Sequence, residues 1–199
     1  MVSKLYLAAG EVAYAAANSG AEEGICSRLR SHFYEIGEGI GIHKSPELHG
    51  AFPTDAYSHT PAHRGAQQPG MTGQVKEDIL ASFFELGLTV VDGVLRFNPV
   101  LLRKSELREK SANVDIILTE KQREKISIPS GSLCFTICQV PVLYTAGAET
   151  KTEIEMKNGS IKKFEGLHLD RQSSAAIFQR SGEIKKIVVT LEKGSLIDK

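Results

Sequence analysis

The sequence predicts an α+β protein in which helices come first and strands follow. Apolar residues recur at helical spacing in the first 87 residues, and beyond them the apolar pattern alternates with a period of two. Strands and helices do not alternate along the chain, which excludes a doubly wound parallel sheet. We therefore expect a helical segment at residues 1–87 and an antiparallel β-sandwich or jelly-roll domain at residues 88–199.

The first two helices are indicated by apolar stripes and by their ends. Leu5 and Val12 share one face of the first helix, and residues 18–20 (Asn-Ser-Gly) supply a stop. Glu22 and Glu23 begin the second helix, where the helix dipole favours acidic side chains. The helical segment offers too little surface for a bundle of its own. Its stripes are expected to meet the sandwich, another chain or further helices.

A long polar loop, residues 38–71, separates the second helix from the third. Loops of this length in a compact domain are normally functional or disordered, and the four histidines and two aromatic residues in this one favour a function. A zinc site is the alternative for the histidines, but Pro61 interrupts the helical spacing of "HTPAH" and no cysteine lies nearby. We expect no metal and no cofactor. The histidines are His43, His49, His59 and His63.

The third helix follows the stretch "GAQQPGMTGQVKEDIL". Gln67 and Gln68 offer amide donors and acceptors that suit sugar hydroxyls, and residues 72–74 place a hydroxyl and backbone N–H groups at the positive end of the helix. Taken alone, the stretch slightly favours a plainer interpretation, in which Thr72 is the N-cap and the glutamines are solvated. The helix dipole and solvation account for the two acids of this helix, Glu77 and Asp78.

The strands after residue 87 are predicted from alternation and turn residues. Gly87 is placed at the C′ position of the third helix, and Asp92-Gly93 and Asn158-Gly159 each indicate a tight hairpin. The further predicted strands are "NVDIILT", "KISIP", "SLCFTIC", "VPVLY", "AAIFQR" and "KKIVVTLE".

Charge and composition exclude several classes of function. Basic and acidic residues number 24 each, so there is no basic excess for binding phosphates, and we expect no nucleic-acid partner. No apolar run reaches the length of a membrane-spanning helix, so no membrane association is expected. Three cysteines do not make a disulfide framework, which favours free thiols and a cytoplasmic location. No phosphate-binding loop, dinucleotide fingerprint or nucleophile elbow occurs.

One segment resembles a known family. The stretch "MTGQVKEDILASFFELGLTVVDGVLRFNPVLL" is similar to the passage from the last barrel helix into the C-terminal sandwich of six-hairpin, (α/α)6 carbohydrate enzymes, such as the cellobiose and maltose phosphorylases. The similarity lies in organisation and spacing. The matching positions are Thr72-Gly73, Leu86-Gly87-Leu88, Asp92-Gly93 and the "LRFNPVL" of residues 95–101.

The resemblance implies a carbohydrate-active protein, the C-terminal portion of an inverting glycoside hydrolase or phosphorylase. In the phosphorylases the Thr-Gly pair holds phosphate near the anomeric carbon, whereas Gln74 stands here where a small hydroxyl residue is usual, so hydrolysis and phosphorolysis both stay open. The general acid would lie on an earlier part of the barrel, which leaves the catalytic residues unknown. The implied sugar-binding residues are His59, His63, Gln67, Gln68, Thr72, Gly73 and Gln74.

Partners follow from the same interpretation. A carbohydrate is the expected substrate, and the missing helical portion of the barrel, or a second copy of the chain, would cover the apolar stripes. The alternative is a stand-alone carbohydrate-binding or structural β-sandwich protein without catalysis.

Overall fold

A computed structural model describes residues 2–39, 71–119, 123–192 and 196–197, and it shows an α+β protein. Within these ranges there are four α-helices and nine strands. The chain divides into two compact units, Met1–Leu86 and Gly87–Lys199.

The first unit contains α1 (Val2–Asn18), α2 (Glu23–Gly39) and α3 (Met71–Glu85). α1 packs against both of the other helices. Glu23 occupies the first turn of α2, as the dipole argument predicts. α3 begins one residue before Thr72, so that residue lies in the first turn of the helix and not at the predicted N-cap position.

Aromatic rings form the core of the first unit. Phe33 on α2 is fully buried and stacks on Tyr6 of α1, with ring centroids 4.4 Å apart. Gly10 allows this approach, because a Cβ atom there would lie 3.0 Å from the Phe33 ring. The stripe predicted through Leu5 and Val12 is exposed, at 57% and 53%. α1 thus turns its small residues towards α2, since only a groove of small side chains admits a phenyl ring.

The second unit opens with the hairpin of β1 (Leu88–Val91) and β2 (Val94–Phe97). Asp92 and Gly93 both have positive φ, 52° and 74°, which is the type I′ turn that the Asp-Gly pair predicts. A second antiparallel pair, β3 (Ala112–Ile117) with β4 (Arg123–Ile128), comes after a short 3₁₀ turn.

The main sheet has five strands in the order β5-β6-β9-β7-β8. β6 and β9 run parallel, so the sheet is mixed and the predicted all-antiparallel arrangement is wrong at this pair. The cause is the crossover, because the chain between β6 and β9 is long enough to return β9 in parallel to the centre of the sheet. The strands are β5 (Ser132–Ile137), β6 (Val140–Gly147), β7 (Lys151–Met156), β8 (Ile161–Glu165) and β9 (Ile184–Glu192).

The stretch "AAIFQR" is not the predicted strand. It forms the end of α4 (Arg171–Phe178) and the residues just after it. The Asp170 side chain is the N-cap and accepts a hydrogen bond of 2.7 Å from the backbone N–H of Ser173. The next turn buries Ile177 completely. A capped start followed by two alanines favours helix, and burial of one face of the helix outweighs the weak strand pattern.

The core of the second unit is centred on Tyr144 of β6, which is fully buried. Phe135 and Phe97 meet its ring edge to face, at centroid distances of 5.1 and 6.3 Å. Aromatic pairs in this geometry add about 0.5–1.5 kcal/mol beyond the area that they bury. The three rings join β5, β6 and the β1–β2 hairpin.

All three cysteines are free thiols, as predicted. Cys26 is buried, and burial raises the pKa of the Cys134 thiol. Cys138 lies in the turn between β5 and β6 and not on the predicted strand.

Candidate functional site

The predicted sugar-binding residues fall into two groups. Thr72, Gly73 and Gln74 lie in the first turn of α3, where backbone N–H groups have no partner within the helix. The other four lie outside the described residues, as do the further predicted loop histidines. These four are His59, His63, Gln67 and Gln68.

Two carboxylates stand one turn further along α3. One carboxylate oxygen of Glu77, Oε2, is buried, and no hydrogen-bond donor in the described ranges reaches it. Partial desolvation, and next the charge of Glu77, raise the pKa of Asp78 above its ordinary value. Both acids lie beyond the first turn of α3, so the helix dipole has little effect on them. A partly desolvated carboxyl with a raised pKa, such as that of Asp78, is a candidate proton donor.

Two of the stretches that resemble the family after α3 pack together at Gly87. The carbonyl of Gly87 accepts a hydrogen bond of 2.7 Å from the backbone N–H of Asn98. Gly87 has a φ of +67°, and a Cβ atom there would lie 2.0 Å from the carbonyl carbon of Asn98. Leu95, Phe97 and Leu101 are fully buried. Gly87 thus packs closely against Asn98 and Pro99 of "LRFNPVL", and a residue with a Cβ atom could not take its place without strain.

The backbone groups on the unpaired edge of β2 form hydrogen bonds with the segment around α4. The backbone N–H of Phe97 donates to the carbonyl of Leu167 at 2.7 Å, and that of Leu169 donates to the carbonyl of Leu95 at 3.0 Å. The N–H of Leu95 donates to Oγ of the fully buried Ser174, also at 3.0 Å. These bonds explain why α4 starts where it does, because its first turn must face β2.

A cavity of about 220 Å³ opens at one end of the five-stranded sheet, and sequence reasoning did not find it. We call it the sheet-end cavity. It is built by the end of β3, the start of β4, the β5–β6 turn, the β7–β8 turn and the start of β9. The lining residues are Leu118, Thr119, Glu124, Gln139, Val140, Lys157, Gly182, Ile184 and Lys185.

The sheet-end cavity has an apolar floor and a polar rim. Val140 and Ile184 are buried beneath it. Lys185 on the rim pairs with Glu155, at 2.8 Å between Nζ and Oε1. The hydrogen bond and charge of Glu155, with a smaller contribution from the charge of Glu124, raise the pKa of Lys185.

Backbone strain lies beside the same cavity. Cys138 and Gln139, the two turn residues between β5 and β6, both have positive φ, 48° and 67°. This is the geometry of a type I′ turn, which normally uses Asn and Gly, and each residue in it costs about 1–2 kcal/mol here. Backbone strain of this kind concentrates at functional sites. A two-residue turn at "CQ" is therefore the sequence feature that could have indicated the sheet-end cavity.

No family model matches the chain, and no curated protein matches it either. The described ranges hold no group of three or more His, Cys, Asp or Glu side chains placed to bind a metal. Within the same ranges no helix is both long and apolar enough to cross a membrane.

Proposed function

We propose that the protein is carbohydrate-active and corresponds to the C-terminal portion of a six-hairpin glycoside hydrolase or phosphorylase. The start of α3, with Gln67 and Gln68 before it, forms one side of the sugar site. The observation that carries the proposal is the close packing of Gly87 against Asn98 and Pro99, which joins two of the stretches that resemble the family. A sequence resemblance whose residues meet in space is stronger support than one spread along the chain.

The exposed faces of the helices support the same proposal. Ile79, Leu80 and Phe83 lie within about one turn of α3 and are 50%, 45% and 43% exposed. Isolated exposed apolar residues are ordinary, but a contiguous group marks a surface that another element covers. In a six-hairpin protein the covering element is the rest of the barrel; in an isolated chain it is a second copy.

The acids of α3 supply at most one of the two carboxyl groups that inverting chemistry needs. An inverting enzyme places its acid and its base on opposite sides of the glycosidic bond. Glu77 and Asp78 are neighbours on one helix and therefore approach a sugar from one side. Asp78, whose pKa is raised, is the candidate proton donor, and the partner carboxyl comes from another element.

Isothermal titration calorimetry with gluco- and galacto-configured oligosaccharides tests the proposal. We expect a binding heat for the full chain that falls strongly in the double variant Gln67→Ala, Gln68→Ala and in Thr72→Ala. Gln172→Ala, at an exposed position of α4, is the matched control and should leave the heat unchanged. No heat with any of the oligosaccharides would contradict the proposal.

The alternative is a stand-alone carbohydrate-binding or structural protein without catalysis. It is favoured by the second unit, which has its own aromatic core and its own cavity. This alternative predicts a monomer that binds no apolar dye in size-exclusion chromatography. The barrel-portion proposal predicts dye binding or self-association through the exposed faces of the helices.

A further inference from the structure

We propose that the sheet-end cavity binds a neutral, ring-sized polyhydroxylated molecule, of the class to which single monosaccharide units belong. The cavity lies within the second unit and shares no residue with the start of α3. The inference therefore rests on the cavity alone and survives if the proposed function fails.

Size limits the ligand to one small ring. The volume of about 220 Å³ lies below the range of about 300–1,000 Å³ that is typical of sites for larger organic ligands. The buried side chains of Val140 and Ile184 give the cavity an apolar floor. A sugar ring has a face of C–H groups that can pack on this apolar floor, whereas a small inorganic ion gains nothing from apolar contacts.

Charge favours a neutral ligand. Two ammonium groups, those of Lys157 and Lys185, lie on the rim. Lys185 is paired with Glu155, which also pairs with Lys186, and the Glu124 carboxylate lines the cavity as an acceptor. Ammonium donors and a carboxylate acceptor therefore lie side by side. Hydroxyl groups use both kinds of partner, while an anion would need an excess of donors.

The walls are held in place before any ligand arrives. The Gln139 amide donates from Nε2 to the carbonyl of Leu118 at 3.3 Å, which orients its oxygen as an acceptor. The positive-φ backbone of Cys138 and Gln139 fixes the β5–β6 turn. The N–H of Lys157 donates to the carbonyl of Glu183 at 2.8 Å and ties the β7–β8 turn to the start of β9. Walls fixed in this way reduce the ordering cost of binding.

An amide NMR titration of the full chain tests the inference. The probes are D-glucose, D-galactose, D-xylose and myo-inositol, with D-glucuronate as the anionic comparison. We expect saturable shifts of the Gln139 and Gly182 amide signals, with at least one neutral probe binding about threefold or more tightly than glucuronate. Absence of saturable shifts up to about 100 mM, far above the millimolar range of weak binding, would overturn the inference. Preferential binding of glucuronate would refute the inference that the ligand is neutral.

Variants separate the sheet-end cavity from the start of α3. Gln139→Ala and, as an independent variant that leaves the strained turn intact, Lys157→Met should each weaken binding about fivefold or more. Lys125→Met on the exposed face of β4 is the matched control and should leave the affinity unchanged. The double variant Gln67→Ala, Gln68→Ala should also leave it unchanged. If the double variant abolished the shifts and Lys157→Met did not, the cavity would not be the site.

Discussion

Replacing Gly87 by alanine is expected to destabilise the second unit severely. Gly87 has a φ of +67°, a conformation that costs a residue with a Cβ atom about 1–2 kcal/mol. Its missing Cβ atom would lie 2.0 Å from the carbonyl carbon of Asn98, 2.2 Å from its oxygen and 2.2 Å from the nitrogen of Pro99. All three are backbone atoms, so no side chain can turn aside to make room.

The size of the effect follows from two contributions. Backbone conformation contributes about 1–2 kcal/mol, and the backbones must move apart by more than about 1 Å to reach ordinary carbon contact distance. Overpacking of this kind typically costs a further 1–3 kcal/mol. We expect Gly87→Ala to lower the free energy of unfolding by about 2–5 kcal/mol, a large share of the 5–15 kcal/mol that is typical of a domain.

Gly93→Ala is the matched control. Gly93 has a φ of +74°, but a Cβ atom there meets nothing within 4 Å. The control therefore carries the conformational cost and no clash. Urea titrations followed by tyrosine fluorescence and circular dichroism give both free energies of unfolding. If the two variants lost equal stability, the packing of Gly87 against Asn98 would be refuted.

Three further predictions concern single side chains. Desolvation opposes ionisation of Asp170, but hydrogen bonds from Lys162 and Ser173 lower its pKa to about 2. Its contribution to stability should thus be present above the unfolded pKa of about 3.9 and be lost as the pH falls towards about 2. Asp170→Asn should flatten this part of a stability-versus-pH curve, and an unchanged slope would contradict the assignment. Ser174→Ala removes the acceptor of the Leu95 N–H and should cost about 1–3 kcal/mol by urea titration; a loss below 0.5 kcal/mol, roughly the smallest net contribution of such a bond, would count against it. Glu77→Gln should lower the pKa of Asp78 in an NMR titration only in part, because desolvation is the larger cause; a full return to 3.8 would show that charge dominates.

Local patterns predict two hairpin turns of the second unit correctly. Asp92-Gly93 forms the type I′ turn that its residues indicate. The hairpin at Asn158-Gly159 also forms; only Gly159 of the pair has positive φ, and its N–H donates to the carbonyl of Met156 at 2.9 Å. The preferences that set these two turns act within about four residues, so the sequence records them.

The buried face of a helix and the elements that pack against it were harder to predict. The stripe through Leu5 and Val12 has helical period, yet α1 packs through Gly10 and Ala13, because Phe33 of α2 needs the space. Periodicity identifies a helix without saying which face its neighbour prefers. The strand predicted at "AAIFQR" was wrong for a related reason. The cap at Asp170 and the burial of Ile177 act together only in the folded protein.

The two candidate sites also differ in whether the sequence reveals them. The glutamine-rich stretch before α3 could be singled out because its residues are adjacent in the chain. The sheet-end cavity could not, because Glu124, Gln139, Lys157 and Lys185 come from four different strands or turns. Only the placement of β9 between β6 and β7 brings them to one end of the sheet.

The sequence by itself determined that helices precede strands, that Asp92-Gly93 and Asn158-Gly159 form hairpin turns, and that Gly87 follows the end of α3. These are local matters of period, φ preference and capping. The tertiary structure alone decided the parallel pairing of β6 with β9, the helical state of α4, the buried face of α1 and the sheet-end cavity. Each of these depends on contacts between residues far apart in the chain, whose free energy no local pattern records.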